Sequence, residues 1–95
     1  MKLNKIIQCL EKWAPPIYQE DYDNSGLMVG DRSSEILGCL ISLDCTEKIV
    51  EEAINKNCNL IVSHHPIIFE GLKSLDMSQW EARVIHKAIK NDINI

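Results

Sequence analysis

Hydrophobic residues near both ends of the chain recur every three or four positions, which is the spacing of an amphipathic helix. The first helix predicted in this way spans residues 3–13. The second spans residues 78–90, where Ser78 and Glu81 match the capping-box pattern of a helix start. In the second helix we expect an inward-facing apolar stripe formed by Trp80, Val84, Ile85, Ala88 and Ile89.

Between these helices the apolar pattern changes to short continuous runs, which are typical of buried strands. Residues 36–43 (ILGCLISL) and 60–63 (LIVS) are two such runs, and residues 46–57 between them carry a helical apolar stripe. Strand, helix and strand at this spacing predict a βαβ unit whose strands run parallel. We therefore expect an α/β fold, with a parallel-type sheet flanked by helices.

Two adjacent histidines, His64 and His65, follow the second predicted strand, and Pro66 comes next. Because Pro66 has no backbone N–H and disfavours helix at the preceding residue, strand pairing should stop about there. Neutral imidazole is the commonest metal ligand, and open α/β sheets bind ligands at the carboxyl ends of their strands. The pair is a candidate metal site if the turning chain brings both rings together; otherwise one histidine caps a loop and the other is merely exposed.

Asp44 follows the first predicted strand in the same way. If the two strands are neighbours, its carboxylate shares one crevice with the two imidazoles. Three roles stay open for Asp44: a metal ligand, a partner that orients a histidine, or the cap of the following helix, and the cap is favoured. Thr46 is the other candidate for that cap. His86 stands alone in the last helix, and we expect a surface or half-buried side chain rather than a ligand.

An acidic, turn-rich connection occupies residues 18–35 and includes Glu20, Asp21 and Asp23. Such carboxylates can bind a hard cation, but the segment lacks the ligand spacing of an EF-hand loop, so we expect a solvated turn. Within it, residues 27–29 form an apolar run that predicts at most a brief strand.

Composition narrows the class of protein. The chain has 95 residues, 45% hydrophobic and 25% charged, which fits one globular domain, and its net charge of -4 argues against nucleic acid as the main partner. No apolar run reaches membrane-spanning length, and the charged, periodic N-terminal segment differs from a signal peptide. Four cysteines without C-x-x-C spacing predict reduced thiols in a cytoplasmic protein.

The chain closes on Ile93 to Ile95, which predict the beginning of a further strand. A terminal strand with no helix behind it would leave a sheet edge and one face uncovered. We therefore expect residues 1–95 to be the N-terminal part of a larger protein.

Three segments occur in order and at compatible spacing: DNSGLMVG (23–30), SLDCTEKIVEEAI (42–54) and LIVSHHPIIF (60–69). Together they resemble the N-terminal region of the GTP cyclohydrolase I type 2-like family of dinuclear metal-centre proteins, and HHP is the most specific piece. The resemblance implies a two-domain α/β fold assembled into a ring-shaped homo-hexamer. It also implies that His64 and His65 each bind one of two divalent ions, and that Asp44 is a helix cap or an orienting partner.

In that family an aspartate shortly downstream, and a histidine and a glutamate near the C-terminus, complete the ligand set; none has a matching position here. Imidazole ligands fit zinc, iron, nickel or copper, and added carboxylates widen the choice to manganese. The resemblance implies a metal-dependent hydrolase acting on a nucleotide or another phosphorylated small molecule. The alternatives are a non-catalytic metal-binding adaptor or regulator, and a metal-free fragment without activity of its own.

Overall fold

The computed structural model describes residues 1–14, 24–69 and 71–95. The predicted acidic loop residues Glu20, Asp21 and Asp23 lie outside these ranges. The helices and strands follow the predicted order, and the first strand and the last two helices are shorter than predicted. They are α1 (Leu3–Trp13), β1 (Cys39–Ser42), α2 (Glu47–Asn55), β2 (Leu60–Ser63) and α3 (Trp80–Lys90).

Strands β1 and β2 form a parallel sheet in which Leu40 pairs with Ile61 and Ser42 with Ser63. Helix α2 connects the two strands, so the predicted βαβ unit and the α/β fold class are confirmed. The C-terminal residues add an isolated parallel bridge between Leu60 and Asn94. The predicted beginning of a further strand is therefore present as a single bridge.

The core lies where α2 and α3 pack together against the sheet. Val50, Ala53, Val84 and Ala88 are all 0% exposed, and Ile61 of β2 is 1% exposed. The inward stripe predicted for α3 is confirmed at its centre and wrong at its ends. Trp80 and Ile89 are 50% and 59% exposed; they lie in the terminal turns of the helix, whereas the fully buried Val84 and Ala88 lie between them.

The opposite face of β1 carries apolar side chains that no described residue covers. Leu37, Ile41 and Leu43 are exposed, whereas Leu40 packs against the core. Since successive side chains of a strand point to opposite faces, the helices described here cover only one face of the sheet.

Thr46, the second of the two caps considered for α2, is the one observed: its hydroxyl accepts a hydrogen bond of 3.3 Å from the N–H of Ile49. The capping box predicted for α3 is wrong. Its N-cap is Gln79, which makes no side-chain cap bond, and the N–H of Ser78 instead donates to the carboxylate of Asp76 at 3.0 Å. A turn centred on Asp76 therefore moves the helix start by one residue.

Residues 27–29 form no strand, but they still pair with the end of the chain. The N–H groups of Met28 and Val29 both donate to the carbonyl of Ile95, at 2.8 and 3.1 Å. Gly30 follows with φ of +134°, and a Cβ at this position would overlap the side chain of Asn94. That buried amide accepts from the N–H of Asp31 at 2.9 Å, so it joins this bent segment to the C-terminal residues.

Candidate metal centre

The two strands leave the sheet through matching turns. Ser42 and Ser63 lie opposite each other in the register, and each hydroxyl donates to the carbonyl two residues downstream. The bond from Ser42 to Asp44 and the bond from Ser63 to His65 are both 2.8 Å long. The same local geometry therefore brings Asp44 and His65 to the same end of the sheet.

Backbone pairing continues past the ends of the assigned strands. The N–H of His64 donates to the carbonyl of Ser42 at 3.1 Å, and the N–H of His65 donates to that of Leu43 at 3.0 Å. Pro66 follows and has no N–H to continue the ladder, which agrees with the predicted end of pairing. The backbone beneath both histidines is thus held by the neighbouring strand.

The side chains of this edge form a compact polar group. Nδ1 of His65 lies 2.6 Å from a carboxylate oxygen of Asp44, and the ring centroids of His64 and His65 are 4.9 Å apart with a 59° angle between ring planes. We call Asp44, His64 and His65 the rim. Since Nδ1 of His65 is engaged by the carboxylate, its Nε2 is the nitrogen left to bind a ligand or an ion.

The rim settles part of the question left open for Asp44. The helix-cap role favoured from the sequence is wrong, because Thr46 caps α2 while the Asp44 carboxylate contacts His65. Its observed contact is with the ring nitrogen Nδ1 of His65. His86 is exposed on α3, as expected.

An open cavity of about 390 Å³ adjoins the rim. Asp44, Thr46 and His65 supply polar groups to its lining, and Pro66 and Trp80 supply apolar surface. Trp80 was missed as a cavity residue, because its spacing along α3 matches that of the core stripe. The signal available in the sequence was its place at the first turn of the helix, where a stripe often leaves the core.

Cys45 lines the same cavity, and its side chain is buried. Burial disfavours the charged thiolate and raises the pKa of Cys45 to about 11. Among residues 1–14, 24–69 and 71–95, no three His, Cys, Asp or Glu side chains converge in a way that could hold a metal ion. Within this part of the chain, the rim therefore offers two imidazoles and one orienting carboxylate.

Fold and rim together define an α/β protein with a polar crevice at the carboxyl ends of parallel strands. All 95 residues match the model of the Duf34/NIF3 (NGG1p interacting factor 3) family. The chain belongs to that family, and the resemblance found in the three sequence segments is confirmed.

Relatives with curated names and solved structures agree with this assignment. The chain is 41% identical over 95 residues to a Clostridium acetobutylicum protein named GTP cyclohydrolase 1 type 2 homolog. It superimposes with a TM-score of 0.94 on Staphylococcus aureus protein SA1388, at 42% identity, covering 99% of this chain and 30% of that one. A Bacillus cereus protein related to NIF3 gives a TM-score of 0.93 at 37% identity, covering 100% of this chain and 26% of that one.

The chain spans 35% of the length of the Clostridium acetobutylicum relative, which it matches along its entire own length. Among the described residues, no helix is long and apolar enough to cross a membrane. These findings place the 95 residues in the family and give them its fold.

Proposed function

We propose that His64 and His65 are ligands of a dinuclear divalent-metal centre, and that the complete protein uses this centre as a metal-dependent hydrolase. The observation that carries the proposal is the 2.6 Å contact between Nδ1 of His65 and Asp44. A ligating histidine usually donates its second ring N–H to a carboxylate or carbonyl, which fixes the tautomer and makes the free nitrogen a better ligand.

The residues of the rim have distinct roles in this proposal. Nε2 of His65 binds one ion while Asp44 holds the ring in place, and His64 binds the second. The 4.9 Å between the ring centroids allows each imidazole to serve its own ion in a pair. When bound, the ions would supply hydroxide near neutral pH and stabilise the negative charge of the transition state.

Two imidazoles do not complete a site, since a catalytic zinc ion alone takes about three protein ligands. We propose that the remaining ligands lie in the longer chains of the family, whose Clostridium acetobutylicum member is matched over 35% of its length. Zinc, iron, manganese and nickel are all compatible with imidazole plus carboxylate ligands.

Equilibrium dialysis against Zn²⁺, with elemental analysis of the retained metal, tests the site in a full-length protein that contains these residues. We expect His64→Ala and His65→Ala each to lower the affinity for Zn²⁺, because each removes one ligand. Asp44→Asn keeps both imidazoles but weakens the orienting bond, so the affinity should fall roughly 10- to 100-fold.

His86→Ala is the matched control, because it removes an exposed imidazole that lies outside the rim. It should leave Zn²⁺ binding unchanged. Equal metal content in the full-length parent and in all four variants would show that the rim is not a metal site.

Hydrolase activity is tested in a full-length protein that contains these residues, with a panel of nucleotides and phosphorylated small molecules. We expect His64→Ala and His65→Ala to abolish turnover together with metal binding. Stoichiometric metal without turnover of any substrate would instead favour the adaptor or regulator.

The homo-hexamer stays a prediction, and sedimentation velocity of the same protein measures it. All four cysteines are free thiols, which supports the cytoplasmic location we propose.

A further inference from the structure

Trp80 belongs to the apolar stripe of α3, but unlike the core residues of that helix it is not buried. It lies one turn before Val84 on the same stripe, yet Trp80 is 50% exposed while Val84 is 0% exposed. Its indole lines the cavity that also contains His65 and Asp44. The side chain of Trp80 is therefore part of the candidate site and not of the interior.

Ionic and backbone contacts hold this end of α3 in place. Nε of Arg83 donates to the Glu47 carboxylate at 2.9 Å, and its Nη1 donates to the carbonyl of Met77 at 3.0 Å. These bonds tie the first turn of α3 to the first residue of α2 and to the preceding loop. The backbone of Trp80 is thus fixed relative to the cavity, and its half-exposed ring is presented by a regular helix.

The lining of the cavity combines two kinds of surface. Trp80 and Pro66 provide apolar surface, and Asp44, Thr46 and His65 provide polar groups. A volume of about 390 Å³ lies within the range of about 300–1,000 Å³ that is usual for small-molecule sites. Such a lining suits a ligand that has a flat apolar ring at one end and a charged arm at the other.

We propose that Trp80 is a specificity-determining residue that stacks on a flat heteroaromatic ring, while the polar arm of the same ligand lies toward His65. Indole is well suited to this role, because stacking on an aromatic side chain is worth about 1–3 kcal/mol per base and needs no specific hydrogen bond. The proposal rests on the proposed function in placing the ligand at the rim, but ring recognition itself depends on Trp80 alone.

Fluorescence titration tests ring recognition directly. Trp13→Phe leaves Trp80 as the only tryptophan of the chain, and Trp13 lies at the exposed end of α1. Guanosine 5′-monophosphate and ribose 5-phosphate form a pair of probes, since both contain ribose and a 5′-phosphate, and ribose 5-phosphate has a hydroxyl in place of the guanine base. Each is titrated with and without Zn²⁺, and both are also measured by calorimetry, because Trp80→Leu lacks the emission of Trp80.

We expect guanosine 5′-monophosphate to quench the emission of Trp80 and to bind roughly 5- to 140-fold more tightly than ribose 5-phosphate, which is the stacking energy converted at 1.4 kcal/mol per tenfold. Trp80→Leu should remove this preference, because leucine keeps apolar bulk without an aromatic face. Trp80→Phe should retain part of it. Ribose 5-phosphate should bind Trp80→Leu as it binds the parent, and an unchanged circular dichroism spectrum confirms that the variant folds.

Equal affinities for the two probes, a preference that survives in Trp80→Leu, or no binding of guanosine 5′-monophosphate at millimolar concentration would each overturn the proposal. The two proposals fail separately. A ring preference that persists while a full-length protein containing these residues binds no Zn²⁺ supports the role of Trp80 and contradicts the metal site. Zn²⁺ binding at the rim without a ring preference does the reverse.

Discussion

The interior between the sheet and its two helices and the rim beside it are held by different forces. In the interior, side chains such as Val50 and Val84 are 0% exposed and are fixed by apolar packing. At the rim, His64 and His65 are exposed, and the backbone beneath them is fixed by hydrogen bonds to the neighbouring strand. We therefore expect that rim side chains can be replaced with little loss of stability, whereas interior side chains cannot.

The largest expected effect comes from Ile61→Ala, which empties a buried position of β2. Ile61 is 1% exposed, and truncation of a buried isoleucine to alanine costs about 2–5 kcal/mol through lost burial and the cavity left behind. Urea denaturation followed by circular dichroism should show this loss in the free energy of unfolding.

Ile41→Ala is the matched control on the neighbouring strand β1. Ile61 pairs with Leu40, and Ile41 is the next residue of β1. Ile41 is 78% exposed, so we expect a change within about 0.5 kcal/mol. A large loss at Ile41, or a small one at Ile61, would mean that the exposed face of β1 and the interior are not the distinct environments described here.

A smaller loss in stability is expected at Gly30, which lies against the buried polar side chain of Asn94. Gly30→Ala places a Cβ against the Asn94 side chain at a backbone φ of +134°, which disfavours any L side chain. Strain of this kind is worth about 1–3 kcal/mol, so the unfolding free energy should fall by about 2 kcal/mol. Gly71→Ala meets no neighbouring atom within 4 Å and has no left-handed φ, so it should stay within about 0.5 kcal/mol of the parent. Equal losses in both variants would show that Asn94 does not restrict Gly30.

The third change lies between the two regions, at the start of α2. Thr46→Ala removes the hydroxyl that accepts from the N–H of Ile49, and loss of such a cap costs about 1 kcal/mol. Thr46→Ser keeps the oxygen and should lie close to the parent in thermal unfolding. If alanine and serine behave alike, the cap bond contributes nothing to stability.

The same division explains what could be predicted from the sequence. Periodicity predicted α1, β2 and the βαβ unit, because apolar spacing determines which face of an element is buried. It also placed His64 and His65 at the end of a strand, since Pro66 limits the pairing. Contacts at the rim depend on which atoms meet in three dimensions, and spacing does not encode that.

Two residues illustrate the limit. Asp44 precedes a helix in sequence, so a cap was favoured, but its carboxylate contacts a histidine 21 residues away. Trp80 shares the spacing of a core stripe, but the stripe leaves the interior at the first turn of α3. In both cases residues that are distant in sequence decide the role. Asp44 contacts His65, just after β2, and Trp80 lines a cavity together with residues 44–46 and 65–67.

The last expected effect depends on pH and concerns Cys45, a buried core residue that also lines the cavity beside the rim. Burial raises the pKa of Cys45 from 9.0 to about 11, so the folded chain keeps a neutral thiol in a range where the unfolded chain ionises. Between pH 9 and about 11 the unfolded state therefore binds fewer protons than the folded one, and the contribution of Cys45 to stability falls as pH rises. The unfolding free energies of the parent and of Cys45→Ala should converge over that interval. As a second measurement, we expect iodoacetamide at pH 8 to alkylate the exposed Cys9 well before the buried Cys45. Parallel pH profiles together with equal alkylation rates would mean that Cys45 is exposed and not part of the interior.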